Sequence, residues 1–356
     1  MWAQLLITGL LVALLPLSLV WASKDVSKYR KLTAVTLFLT FDLIVFGAFT
    51  RLTDSGLGCP DWPGCYGEAN PFQSHQAIKT AQDLMPTGPV TVLKAWVEMI
   101  HRYLAMSVGV LIVAHMLIAW WQRRKLQHSP WLPTALLFCV VVQGAFGAWT
   151  VTLKLQPVIV TIHLLLGMIL LALLAWSLAR ELTPSLNLSN GLKPTRSGLI
   201  RMATIALALL ALQIALGGWV STNYAALACN DYPLCNGVFV PEMDFEHGFT
   251  LWRKLGQTAN GEYLPFSALV AIQWVHRSFA WIAIGAVVWA ACLARKNPAL
   301  CPLANKILIV IFAQFITGVA TVFFSWPLLI AVLHNAGAAA LVLLLTMLNY
   351  RARHAA

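Results

Sequence analysis

Four histidines stand at matched positions in two copies of one pattern. His101 and His163 fall in the first copy, His276 and His334 in the second. Gln143, Gly147, Thr150 and His163 reappear as Gln314, Gly318, Thr321 and His334, each 171 positions on. The pair His101-Arg102 reappears as His276-Arg277, 175 positions on. Gly47, Leu57, Cys59, Asp61, Pro63 and Cys65 match Gly217, Leu227, Cys229, Asp231, Pro233 and Cys235, each 170 positions on. Every one of the four histidines lies a few residues into an apolar run. An uncompensated polar ring in lipid is expensive, and intramembrane ionisable groups face the bundle interior and mark function. Two imidazoles at equal depth on facing helices can coordinate one heme iron axially. The spacing therefore predicts two such sites, His101 with His163 and His276 with His334. The competing reading is four core histidines bonded to neighbouring helices, and their recurrence weighs against it. Zinc fits less well, because only Glu98 lies near a pair as a further ligand.

The two copies differ at one chemically important position. Glu98 precedes His101 by three residues, and the matching residue before His276 is Gln273. Residues at i and i+3 share a helix face. A carboxyl group there suits proton transfer, whereas an amide cannot titrate. The first half is thus expected to do chemistry and the second to hold a redox group; a structural carboxylate is the alternative. Arg102 and Arg277 are candidates for neutralising heme propionates, with snorkelling to headgroups as the rival reading. Of seven cysteines, Cys59 with Cys65 and Cys229 with Cys235 are expected to form two local disulfides above the sites. The structural reading of these pairs stands beside a redox-active one.

The elements that must position these residues are membrane helices. The chain has 356 residues, 59% of them hydrophobic and 10% charged, against about 25% charged in a soluble domain. Apolar runs near 20 residues recur, and they do not alternate as barrel strands would. Nine spans are predicted, at roughly 2–22, 33–52, 94–121, 131–152, 156–179, 199–221, 266–294, 305–325 and 327–349. Basic clusters follow the first, third, fifth and seventh: Lys24, Lys28, Arg30 and Lys31; Arg123, Arg124 and Lys125; Lys193 and Arg196; Arg295, Lys296 and Lys306. The positive-inside rule makes these loops cytoplasmic, together with the C-terminus, and puts the long loops 53–93 and 222–265 outside. The net charge of +11 is explained by topology and does not point to nucleic acid. Trp21-Ala22-Ser23 resembles a cleavage site, but no basic segment precedes the first run. It is read as a retained helix with its N-terminus outside.

The expected architecture is an all-α polytopic membrane protein. An extra N-terminal helix and basic loop occupy 1–32, a four-helix unit 33–180, a cytoplasmic linker 181–198 and a second four-helix unit 199–350. Both units start from the cytoplasmic side, as parallel repeats do. His115 has no repeat partner and reads as a satisfied bundle histidine. His75, His128, His247 and His354 receive no role, and packing accounts for Cys139, Cys292 and Cys301.

The stretch from Gly47 through Arg51-Leu52-Thr53-Asp54-Ser55-Gly56-Leu57-Gly58 to Cys65, followed by Glu98-Met99-Ile100-His101-Arg102, resembles heme A synthase. So do Gln273-Trp274-Val275-His276-Arg277 and His334-Asn335. The resemblance spans about residues 33 to 349. It implies two four-helix bundles related by pseudo-twofold symmetry. It implies oxidation of a ring methyl of heme O to a formyl group by successive hydroxylations, for cytochrome oxidase cofactor biosynthesis. It implies heme b held through its iron by His276 and His334, substrate heme O at His101 and His163, and a functional glutamate at Glu98. The outer cysteine pair of the family carries over to Cys59 and Cys65; Cys229 and Cys235 match only part of the family. Expected partners are heme O synthase and terminal oxidase assembly proteins, an electron donor that sequence does not name, and the lipid of the plasma (inner) membrane. The same four histidines also suit a di-heme b-type electron carrier or a heme transporter or chaperone. A solute transporter is disfavoured, since no matched helices are broken at the midplane.

Overall fold

A computed structural model describes residues 1–24, 27–126, 129–182 and 194–354, with side chains omitted for 194–196. Lys193, His128 and most of the linker expected at 181–198 lie outside the described residues, as does the side chain of Arg196. Within them the chain forms twelve helices: α1 (Trp2–Ala22), α2 (Lys28–Leu52), α3 (His75–Leu84), α4 (Val92–Trp121), α5 (Arg123–Leu126), α6 (Trp131–Thr152), α7 (Pro157–Leu182), α8 (Pro194–Thr222), α9 (Phe245–Phe249), α10 (Phe266–Arg295), α11 (Cys301–Phe323) and α12 (Leu328–His354). Nine of these, all but α3, α5 and α9, are long and apolar enough to cross a bilayer. Lipid offers the backbone no hydrogen bonds, so each apolar run satisfies its own amides as a helix. The protein is an all-helical, multi-pass membrane protein.

The helices run further into the polar segments than the apolar runs suggest. α2 begins at Lys28 because the Ser27 hydroxyl accepts from the Arg30 amide at 3.2 Å, a helix N-cap. In the same way the Thr91 hydroxyl accepts from the Lys94 amide at 3.2 Å and starts α4. Hydropathy marks the stretch that suits lipid, while capping chemistry marks where the hydrogen-bonded helix ends.

The chain divides into two compact units. Unit 1 comprises Met1–Leu155 and Ile169–Leu178; unit 2 comprises Gln156–Met168 and Ala179–Ala356. In unit 1, α4 is the hub and packs against α1, α2, α3, α5 and α6. The extra helix α1 is built into this unit. Leu5 joins Cys59, Cys65, Ala69, Ile78, Ala95 and Met99 in one buried cluster, and the Trp2 ring meets the Trp62 ring edge-on at 6.1 Å.

In unit 2, α8 packs on α10, α10 on α11, α11 on α12 and α12 back on α8, which closes a four-helix ring. The buried stripe of α10 is rich in small residues: Ala268, Ala271, Ala283, Ala286, Ala290, Ala291 and Ala294. Small residues let backbones approach closely where no hydrophobic effect drives association. At the far end of the ring, the buried Asn349 amide of α12 donates to the Ala203 carbonyl of α8 at 2.8 Å.

Candidate functional site

The loops that follow α2 and α8 fold to one design. Cys59 is bonded to Cys65 and Cys229 to Cys235, and all four are buried. The carboxylate of Asp61 accepts from the backbone amides of Tyr66 at 2.6 Å and Gly67 at 2.8 Å. Asp231 does the same with Asn236 at 2.6 Å and Gly237 at 2.9 Å. Gly67 and Gly237 sit at φ of 76° and 82°, a region open to glycine at no steric cost. Burial, with the Asp61 carboxylate beside it, pushes the Tyr66 phenol above its ordinary value. Asp61→Ala removes the acceptor for two amides. Reduction of Cys59–Cys65 by dithiothreitol should then speed up roughly fivefold, the equivalent of about 1 kcal/mol of lost hydrogen bonding. Cys229–Cys235 serves as the internal control, and thiol alkylation with mass analysis reads both.

The arginines that follow the histidines reach these loops. Arg102 Nη1 donates to the carbonyls of Asp61, Pro63 and Gly64 at 3.0, 3.2 and 2.6 Å. Arg277 Nη2 donates to those of Asp231 at 2.7 Å and Leu234 at 2.6 Å. A planar guanidinium with five donors can bridge several acceptors in this way. Arg102 is also paired through Nη2 with Glu98 Oε1 at 2.5 Å. The other oxygen of Glu98, Oε2, accepts from the Cys59 amide at 2.8 Å. Glu98 is 4% exposed. Its carboxylate is therefore tied at one end to the disulfide loop and at the other to the arginine that holds that loop. In the second repeat the Gln273 amide donates to the Ala226 carbonyl at 3.0 Å. Glu98 and Gln273 thus occupy matched places with different chemistry.

His276 and His334 line one cleft in unit 2, enclosed by α8, α10, α11 and α12 with Leu164 and Met168 of α7. It holds about 1360 Å³ of non-atom space, part of which is open to the outside. Two glycines make room for the rings. A Cβ at Gly217 would sit 2.9 Å from His276 Cε1, and one at Gly318 would sit 3.0 Å from His334 Cε1. Two glutamines hold the backbone behind the rings: Gln213 Nε2 donates to the His276 carbonyl at 3.1 Å and Gln314 Nε2 to the His334 carbonyl at 2.9 Å. Arg277 also lines the cleft, and its Nη1 is buried with no hydrogen-bond partner. Among the described residues no three His, Cys, Asp or Glu side chains cluster as a metal site. Two imidazoles alone suit a metal that brings its own in-plane ligands, as heme iron does.

The structure brings together Glu98, Arg102 and the Cys59–Cys65 loop in unit 1, and His276, His334 and Arg277 in unit 2. His101 stands in unit 1 with Gly47 against its ring, where a Cβ would lie 3.0 Å from Nε2, and with the Phe46 ring stacked at 6.3 Å. His163 stands on the stretch of α7 that groups with unit 2. His115 is buried, shares a 2.8 Å hydrogen bond with Thr33 and stacks on Tyr29 at 4.5 Å. Sequence reasoning assigned no part to Asp61, Asp231, Gln213 or Thr317, whose hydroxyl lies 3.1 Å from His334 Nδ1. The signal for the aspartates was present, since they recur at the same offset as the cysteines.

Fold and cleft together define a multi-pass helical membrane protein with a cavity built around two imidazoles. Residues 30–346 match the cytochrome oxidase assembly protein family (COX15-CtaA), and the chain belongs to that family. It is 38% identical over 323 residues to a heme A synthase of Shewanella oneidensis, covering 90% of this chain and 95% of the relative. It is 30% identical to one of Caulobacter vibrioides (88% and 93% covered) and 31% identical to one of Sphingopyxis alaskensis (93% and 93% covered). The family match begins after α1.

Proposed function

We propose that this chain is a heme A synthase, an oxidoreductase of cytochrome oxidase assembly. It oxidises a ring methyl of heme O to a formyl group by successive hydroxylations. The observation that carries the reading is a repeated histidine pair whose two copies differ by Glu98 against Gln273. In this reading His276 and His334 hold a resident heme b through its iron, and His101 and His163 hold the substrate heme O. When bound, the heme b supplies one-electron redox chemistry. Every other task falls to the chain. Gly217 and Gly318 leave room for the ligand rings, and Arg277 Nη1 has a donor to offer a propionate. Arg102 spends its donors on the disulfide loop and on Glu98, so its first task is to fix that carboxylate. Glu98, held at both oxygens, moves a proton at the reacting methyl or balances charge there. The disulfide loops face outward and the basic loops inward, with the N-terminus outside and the C-terminus cytoplasmic. Heme O synthase and oxidase assembly proteins are the expected neighbours in the membrane.

Pigment analysis tests the reading. The full chain is co-expressed with a heme O synthase and purified, and its hemes are extracted and identified by chromatography and mass. Heme A beside heme O and heme b is the expected result. Heme b alone, with heme O available but neither bound nor converted, overturns the substrate assignment and leaves an electron carrier.

A further inference from the structure

Helix α1 buries a single stripe. Its buried residues are Leu5, Gly9, Ala13, Pro16 and Val20, spaced three or four apart and so on one helix face. Leu6, Leu10 and Leu14, on other faces, are exposed. The helix packs on α4. At Gly9 the two come so close that a Cβ would lie 3.0 Å from Met106 Cβ, and small residues permit that approach. This crossing fixes the start of α1 against the helix that carries Glu98 and Arg102.

The first turns of α1 lie on the Cys59–Cys65 loop. Leu5 is buried in one cluster with Cys59, Cys65, Ala95 and Met99, and Tyr103 and Met106 of α4 pack against it. The Trp2 ring meets that of Trp62 edge-on at 6.1 Å. A Cβ at Gly64 would lie 2.9 Å from Met1 Sδ. The residues so covered are the ones that hold the Glu98–Arg102 pair. Asp61, Pro63 and Gly64 supply the carbonyls that accept from Arg102 Nη1, and Cys59 supplies the amide that donates to Glu98 Oε2. The second disulfide is housed differently. The cluster around Cys229 and Cys235 is made by their own loop and α10, from Ala228, Met243, Leu269, Val270 and Trp274. The cover from another membrane helix therefore falls on the repeat that has a carboxylate, and the repeat with Gln273 builds its cluster without one.

We infer that α1 is a positioning element for the reaction: through Leu5 and Trp2 it clamps the Cys59–Cys65 loop, and through that loop it fixes the Glu98 carboxylate. The inference rests on the heme A synthase reading of Glu98, and it concerns a helix outside residues 30–346 of the family match. An acid–base group works at short range, and a misplacement of about 1 Å costs on the order of 100-fold in rate. Loops move more than the helices they join. A carboxylate tied to a loop amide and to a loop-held arginine inherits the motion of that loop unless something clamps it.

The test uses the full chain co-expressed with a heme O synthase and reads three things: heme A formed, heme b retained, and the dithiothreitol reduction rate of each disulfide by alkylation and mass. Leu5→Ala opens a hole in the cluster. It should speed reduction of Cys59–Cys65 and slow heme A formation by about tenfold each, leaving Cys229–Cys235 and heme b unchanged. Trp2→Ala, nearer the surface, should act in the same direction by less. Leu5→Met should return every readout to within about twofold of wild type, and Leu6→Ala, on an exposed face, should match wild type. In the Glu98→Gln background, Leu5→Ala should slow conversion by less than about twofold more, because the two changes act on one group. A helix that only supports folding would slow both backgrounds alike. Unchanged reduction of Cys59–Cys65, undiminished heme A, the same further loss in the Glu98→Gln background, or parallel loss of heme b and of both disulfides overturns the inference and leaves the enzyme assignment intact. Wild-type protein that forms no heme A overturns that assignment, and the inference falls with it.

Discussion

Glu98→Gln is expected to bind heme O and heme b at wild-type levels yet form heme A at least about 100-fold more slowly, the scale of a lost acid–base group. The substitution keeps the size of the side chain, so packing in its 4% exposed site is undisturbed. It changes what the two oxygens can do. Both now accept, one from Arg102 and one from the Cys59 amide. An amide has a single acceptor oxygen, so its NH₂ must face one of those two donors. The second repeat shows where a glutamine turns in this setting: Gln273 gives its NH₂ to a loop carbonyl, Ala226. Glu98→Gln therefore loses the titrating group and one tether together. Glu98→Asp separates these effects, because it keeps the charge on a shorter stem; partial activity there with none in the amide assigns the role to charge. The readouts are extracted heme A for chemistry, total heme for binding and alkylation of Cys59 and Cys65 for the loop. Wild-type conversion by the amide variant would remove Glu98 from the mechanism.

The same carboxylate shows how far sequence reading reaches. The nine spans were legible because a bilayer imposes one length and one composition on every crossing. The four histidines, the cysteine pairs and the Glu98/Gln273 difference were legible because duplication supplies its own comparison. The i to i+3 relation between Glu98 and His101 was correct as helix geometry. The partners of Glu98 were not legible, since the Cys59 amide arrives from a loop 39 residues earlier in the chain. Arg102 was read against propionates and headgroups, and no spacing rule announces that three carbonyls of a folded-back loop will sit within its reach. Gln213 and Thr317 escaped for the same reason. A residue that supports a ligand from the neighbouring helix has no fixed offset from it, and only the packed helices bring the two together.

His276→Ala and His334→Ala should each abolish retention of heme b, leaving purified protein without its b-type absorbance and without heme A synthesis. The cleft offers two imidazoles, and among the described residues no third His, Cys, Asp or Glu gathers with them to replace either. Removing one leaves a single imidazole to hold the group in a cavity partly open to the outside. The effect must be told apart from general damage caused by deleting a buried imidazole. His115→Ala is the control. That ring is fully buried, bonded to Thr33 and stacked on Tyr29, so its loss removes one hydrogen bond of the Thr33 hydroxyl, which still donates to the Tyr29 carbonyl at 3.1 Å, and costs stability of about 1 kcal/mol. It should nonetheless leave heme content unchanged. A fourth variant adds a positive signature. His276→Met keeps a ligand of similar reach, and methionine–histidine ligation raises the potential of a heme. It should retain some heme b at a higher midpoint potential. If all three sites lose heme alike, the cleft histidines act through stability and not through iron. Loss confined to His276 and His334, with a raised potential in the methionine variant, is what ligation alone predicts.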